Sequence, residues 1–144
     1  MTSPFIKLAD GFFVAPQLTP GLIEAASEIG IKVIINNRPE NEEPGQPSGT
    51  QIEAAAAEAG IAYAAIPVGR MGVSAKHLDQ LDDALASGGP ALAFCRSGMR
   101  STIVWALARA RAGEPIDALI NAAAEAGYDI RGQQGLLEAT QKGA

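Results

Sequence analysis

The chain has 144 residues, 47% of them hydrophobic and 19% charged, the balance of an ordinary globular protein able to bury a substantial core. Its 16 acidic against 11 basic residues leave a net charge of −5, which argues against a nucleic-acid-binding surface. The single cysteine rules out an internal disulfide, no apolar run reaches the ~18 residues of a membrane span, and no signal peptide is expected at the N-terminus, so the expected location is cytoplasmic.

Taken in order, residues 5–8 and 12–14 are short apolar segments separated by Ala9-Asp10-Gly11, a hairpin signal. Thr19 followed by Pro20 reads as an N-cap with proline at the first helical position. Leu22, Ile23, Ala26 and Ile29 then share one helix face, and Gly30 closes it. Residues 31–36 are β-branched and nearly continuous, as in a buried central strand. Residues 37–49 form an irregular stretch rich in proline, glycine and glutamate. It follows the carboxyl end of that strand, where ligands bind in open α/β sheets, and Arg38 is its candidate for contact with an anion. Ser48 with Gln51 predicts a capping box for a helix over residues 50–59. A further strand over 61–66 ends at Pro67. A glycine-bearing loop follows, and Ser74 caps a helix whose Leu78, Leu81 and Leu85 mark the buried face. His77, the only histidine, falls off that stripe and reads as solvated.

Residues 90–94 predict a buried strand, and residues 102–109 a helix. Between them stands Cys95-Arg96-Ser97-Gly98-Met99-Arg100-Ser101. A strand, a tight glycine-bearing loop and a helix aim backbone N–H groups and the positive end of a helix dipole at one point. Such a site suits an anion, and it holds the chain's only thiol. A thiolate is favoured near a helix N-terminus and guanidinium groups, so Cys95 is expected to ionise well below about pH 8.5. Arg96 and Arg100 remain charged at any working pH and match a tetrahedral oxyanion. Ser97, Gly98 and Met99 supply the loop amides. Ser101 is expected to cap the helix and donate to the sulfur. Helices over residues 113–126 and near Leu136 and Leu137, with a turn at Gly127-Tyr128-Asp129, complete the chain. The alternation of strands and helices predicts one α/β domain over 1–144, with a mainly parallel sheet covered by helices on both faces. No Cys, His, Asp or Glu cluster has metal-ligand spacing and no P-loop lysine motif is present, so neither metal nor cofactor is expected. The sequence specifies no oligomeric state.

The cysteine loop resembles that of the protein tyrosine phosphatase superfamily. With Ile34-Ile35-Asn36-Asn37-Arg38-Pro39, residues 42–48, Trp105 and residues 126–129, the chain looks like the small bacterial phosphatase-like domain of beta-lactamase-hydrolase-like proteins, a family also labelled sulfurtransferase. The resemblance implies a phosphatase-like α/β fold. It assigns the nucleophile to Cys95, the anion-binding arginine to Arg100, the hydroxyl to Ser101 and the loop to Arg96, Ser97, Gly98 and Met99. The chain departs from the superfamily in three ways. Four residues rather than five separate Cys95 from Arg100, a count similar to single-domain rhodaneses. Residues 66–73 hold no carboxylate where phosphatases carry an aspartate acid. Phe94 replaces the usual histidine.

Three chemistries follow from these residues, all directed at a small anionic partner. Cys95 could hydrolyse a phosphate ester through a thiophosphate, aided by Arg100 and Ser101. It could instead carry a persulfide taken from a sulfane-sulfur donor, which needs no acid. As a third reading, the loop is a non-catalytic anion-binding or redox-sensing module.

Overall fold

The computed structural model describes residues 4–144. Residues 1–3, part of the segment expected to carry no signal peptide, lie outside the described residues. The elements are β1 (Ile6–Ala9), β2 (Phe12–Ala15), α1 (Pro20–Glu28), β3 (Val33–Asn36), α2 (Gly49–Glu58), β4 (Ala62–Ala65), α3 (Ala75–Leu85), β5 (Ala91–Phe94), α4 (Met99–Arg111), α5 (Ile116–Glu125) and α6 (Gln134–Lys142), with a 3₁₀ turn Arg131–Gln133 before α6.

Five strands of four residues lie in the order β1-β2-β5-β3-β4. The β1–β2 hairpin is antiparallel and the other pairings are parallel. A period of two sorts the side chains. Ile34, Leu92 and Phe94 face α1 and α2, meeting Leu18, Ile23, Ala26, Ile52 and Ala56. Val33, Ile35, Ala91 and Ala93 face the opposite layer, built from Leu78, Leu81, Val104, Trp105, Leu107, Leu119 and Leu137. The expected α/β sheet with helices on both faces is therefore the observed architecture.

Local signals set most element starts. The Thr19 side chain accepts the Leu22 N–H with Pro20 at the first helical position, and Ser48 and Gln51 form the reciprocal capping box. One strand start and one residue's role differ from expectation. Strand β3 starts at Val33 rather than Ile31, because the Ile31 N–H closes α1 on the Ala26 carbonyl at 3.1 Å. His77 is more than a solvated residue: its Nδ1 accepts the Ser74 N–H at 2.9 Å, completing a capping box for α3.

Register positions the site. Phe94 pairs with Ala15 on one side and Asn36 on the other, and Asn36 pairs with Ala65. Four strands thus end at one level, and the segments leaving β5, β3 and β4 meet at the carboxyl edge of the sheet. Leu92, fully buried at the centre of the sheet, is expected to lose about 2–5 kcal/mol of stability on replacement by alanine, read from the urea midpoint at unchanged slope.

Candidate active site

At the end of β5 the chain turns through Cys95-Arg96-Ser97-Gly98, and α4 starts at Met99. The loop is shorter than the expected 95–101, because the helix takes Arg100 and Ser101 into its first turn. Gly98 holds the N-cap position at φ 95°, a left-handed conformation that glycine adopts without a Cβ penalty. A Cβ there would also overlap the Tyr128 hydroxyl and come within 3.4 Å of the Ala15 carbonyl.

The direction of the loop amides follows from where its carbonyls are held. The Arg96 carbonyl accepts the Gln17 N–H at 3.3 Å, and the Ser97 carbonyl accepts the Tyr128 hydroxyl at 2.9 Å. The Gly98 carbonyl accepts both the N–H of Thr102 at 3.0 Å and its hydroxyl at 2.8 Å. In a trans peptide the following N–H points opposite to the carbonyl, so carbonyls tied outward turn amides inward. The Gly98 N–H accordingly donates to Cys95 Sγ at 3.0 Å. Cys95 is buried, at 1% exposure. The Met99 N–H is taken by Ser97 Oγ at 3.3 Å.

Ser101 does not perform the capping expected of it. It is buried, and its Oγ donates to Asn37 Oδ1 at 2.8 Å. One hydroxyl carries one proton, so this bond withholds it from the sulfur. Asn37 is itself fully engaged. Its N–H reaches the Phe94 carbonyl, its Nδ2 donates to the Ile66 carbonyl at 2.9 Å, and its own carbonyl accepts the Val68 N–H. One residue thereby joins the ends of three strands beneath the loop, its main chain reaching the end of β5 and its side chain the end of β4 and Ser101 of α4.

Charge around the loop is organised by Glu42. Its Oε1 accepts from Arg100 Nη2 and Arg38 Nε, each at 2.8 Å, and its Oε2 accepts from Arg100 Nη1 at 2.7 Å. Arg100 Nη1 also donates to the Val68 carbonyl at 2.9 Å. Of the five donors of a guanidinium, Nε–H and one Nη2–H remain, and these lie on a single edge, the fork that fits an oxyanion. Hydrogen bonding and charge from Glu42, with further contributions from Cys95, raise the Arg100 pKa against the effect of burial. The hydrogen bond from Arg100, supported by Arg38, holds the Glu42 carboxyl at about 2.

Arg38, 3% exposed, gives its donors to Glu42, Glu43 and Gln17. Burial works to lower its pKa, and the hydrogen bonds and charges of Glu43 and Glu42 raise it beyond that loss. Arg96 is mostly exposed, its Nη2 lying 3.5 Å from Glu43 Oε2. Arg38, Arg96 and Arg100, with Arg70 and Glu42, line a cavity of about 540 Å³ beside the loop. A larger hollow of about 630 Å³, lined by Glu24, Ser27 and Glu58 of α1 and α2, offers no cation, whereas the smaller cavity has four arginines at its wall.

Over residues 5–113 the chain matches the family described as beta-lactamase hydrolase-like protein, phosphatase-like domain. The chain belongs to this family. It is 33% identical over 109 residues to the beta-lactamase hydrolase-like protein of Agrobacterium fabrum strain C58, covering 75% of the chain and 25% of that relative. The namesake from Xylella fastidiosa strain Temecula1 is 38% identical over 79 residues, covering 54% of the chain and 18% of the relative. The chain thus spans a quarter or less of these curated relatives. A crystal structure from Neisseria meningitidis Z2491, described as that of a candidate phosphatase, is similar with a TM-score of 0.84 and 31% identity, covering 97% of this chain and 99% of that one. Tk-PTP in its active form, at 13% identity, a TM-score of 0.73 and coverage of 99% of each chain, shows the shared fold.

Within this phosphatase-like domain, the segment after β4 presents Arg70 rather than a carboxylate to the cavity. The carboxylates beside Arg100 and Arg96 come instead from the loop after β3. No group of three or more Cys, His, Asp or Glu among the described residues could hold a metal ion, and no helix there is long and apolar enough to cross a membrane. The sequence carries no signal for the direction of the glutamates in residues 37–49, nor for the roles of Asn37, Tyr128 and Gln17; Gln17 meets the site twice, its N–H held by the Arg96 carbonyl and its amide oxygen accepting from Arg38.

Two outcomes follow. Gly98→Ala is expected to cost about 1–3 kcal/mol from the left-handed backbone, with further loss from the overlap with Tyr128, measured by chemical denaturation. Glu42 has a folded pKa of about 2 against an ordinary 4.5. A lowered folded pKa contributes stability that is present above the unfolded value and lost as pH falls through the folded one. The difference in stability between the parent and Glu42→Gln is therefore expected to shrink as pH falls from about 4.5 towards about 2, read from denaturation at a series of pH values.

Proposed function

We propose that this phosphatase-like domain hydrolyses phosphate monoesters through a thiophosphate on Cys95. The observation that carries the reading is a thiol hydrogen-bonded by the Gly98 N–H at the mouth of α4, beside an arginine with two donors on one edge that Glu42 and Val68 leave unused. In the first step the Cys95 thiolate attacks phosphorus, the P–O ester bond breaks, and the leaving oxygen takes a proton from water. Water then attacks the thiophosphate, the S–P bond breaks, inorganic phosphate departs and the thiolate is restored. Arg100 and the loop amides oppose the charge that builds on the equatorial oxygens. Arg96 and Arg38 contribute positive potential at the cavity wall. Ser101 can assist the departing thiolate only by giving up its bond to Asn37.

The missing acid sets the substrate class. Glu42, whose carboxyl the hydrogen bonds of Arg100 and Arg38 hold well below the usual range, is ionised at pH 7 and has no proton to give. With no acid to protonate the leaving group, rates for alkyl esters are expected to fall about 10²–10⁴-fold, while phenolates, being weaker bases, suffer less. Aryl phosphates, small and anionic, are the substrates of choice.

Two features favour a second reading, sulfur transfer: the four-residue spacing from Cys95 to Arg100 and the absence of a carboxylate from residues 66–73. Here the thiolate attacks the outer sulfur of thiosulfate, the S–S bond breaks, sulfite leaves and a persulfide remains for transfer to cyanide or another thiol.

Aryl phosphate turnover that disappears in Cys95→Ser is the expected result. A protein inert to aryl phosphate whose intact mass rises by one sulfur after thiosulfate, with no gain in Cys95→Ser, would replace hydrolysis by sulfur transfer. Silence in both assays would leave a non-catalytic module. Arg100→Lys is expected to lower kcat/KM more than Arg96→Lys, because Arg100, in the first turn of α4 and less exposed than Arg96, is the one proposed to give the paired oxyanion contact that a lysine cannot make; equal losses would show the roles given to the two arginines to be wrong.

A further inference from the structure

Tyr128 lies far from Cys95 in sequence, on the turn between α5 and the 3₁₀ segment, yet its hydroxyl reaches the loop. It donates to the Ser97 carbonyl at 2.9 Å. That carbonyl belongs to the same peptide unit as the Gly98 N–H, which donates to Cys95 Sγ at 3.0 Å. The hydroxyl also sits where a Gly98 side chain would begin, so the peptide is held between the phenol on one side and the sulfur on the other. Two hydrogen bonds in series through one amide polarise each other, since a carbonyl that accepts more strongly makes its own N–H a better donor.

We infer that Tyr128 is a positioning residue, which fixes the Ser97–Gly98 peptide and strengthens its N–H as the donor to the Cys95 thiolate. The inference rests on Cys95 acting as the reactive group proposed above, whether phosphorus or sulfur is its target. A hydrogen bond given to the charged form of an acid favours that form, so the chain phenol, amide, sulfur stabilises the thiolate as attacking and as leaving group. The phenol must keep its proton to do so. Burial, 9% exposure remaining, and the nearby charge of Cys95 both raise its pKa, so it stays a donor across the working range. Phenylalanine keeps the ring in its place and removes only the donor.

The test follows iodoacetamide alkylation of Cys95 between pH 5 and 10 in the parent and in Tyr128→Phe, with the thermal midpoint and near-ultraviolet circular dichroism measured alongside. The expected result is an alkylation midpoint displaced upward by about half to one pH unit, a roughly three- to tenfold slower reaction below the midpoint, with the tertiary spectrum kept. An unchanged pH profile would overturn the inference and leave Tyr128 as packing alone. Should Tyr128→Phe fail to fold, the parent protein decides. The Gly98 amide proton is expected to shift with the thiol titration in ¹H–¹⁵N spectra, and an amide blind to that titration would overturn the proposal. Aryl phosphate turnover by the parent, measured separately, reports on the hydrolase reading. A displaced alkylation profile in a protein without turnover keeps the relay and removes the phosphatase.

Discussion

The site depends on one constraint: the carbonyls of the loop after Cys95 are all spoken for from outside. Gln17 from the segment after β2, Tyr128 from the turn after α5, and Thr102 from α4 itself each hold one of three consecutive oxygens. A loop free to choose would turn some of those carbonyls towards any cation above it. Held this way, it turns the Gly98 N–H onto the sulfur instead, and the first turn of α4 adds the donors of a helix start, of which that of Met99 is met by Ser97 Oγ. The left-handed Gly98 is the hinge of the arrangement, and the burial of Cys95 is its result. The anion-binding role proposed for the loop thus starts from the backbone, before any guanidinium is considered.

Electrostatics then supply aim. Arg38 is buried among the strand ends and would be costly without partners, because an unpaired buried charge is a far larger penalty than the pair itself repays. Glu42 and Glu43 meet that need. In doing so Glu42 also takes the end-on face of Arg100 and leaves the side-on fork free. A carboxylate held near pKa 2 is a fixed structural anion, so the same feature that steadies the arginine removes the residue from service as a proton donor. Pairing and acid catalysis are alternatives here, and the geometry has taken the first.

Much of this was legible beforehand. Hairpin, caps and alternating strands announced the α/β sheet, since Asp10-Gly11, Thr19-Pro20 and Ser48 with Gln51 act over a few residues and need no tertiary information. The cysteine loop was legible for the same reason, being a local strand-to-helix turn. What could not be read were contacts across long separations: Tyr128 to Ser97, Ser101 to Asn37, Glu42 to Arg100. Ser101 shows the difference plainly. By local rules a serine opening a helix caps it, but left-handed Gly98 starts the helix three residues earlier and the hydroxyl finds an asparagine 64 positions away. Neither residue carries a sequence mark of that pairing.

The depth of the sulfur has a consequence for which molecules can meet it. With 1% of Cys95 exposed, the sulfur has almost no open surface, so on the reading proposed above slim reagents are expected to reach it faster than bulky ones of the same reactivity.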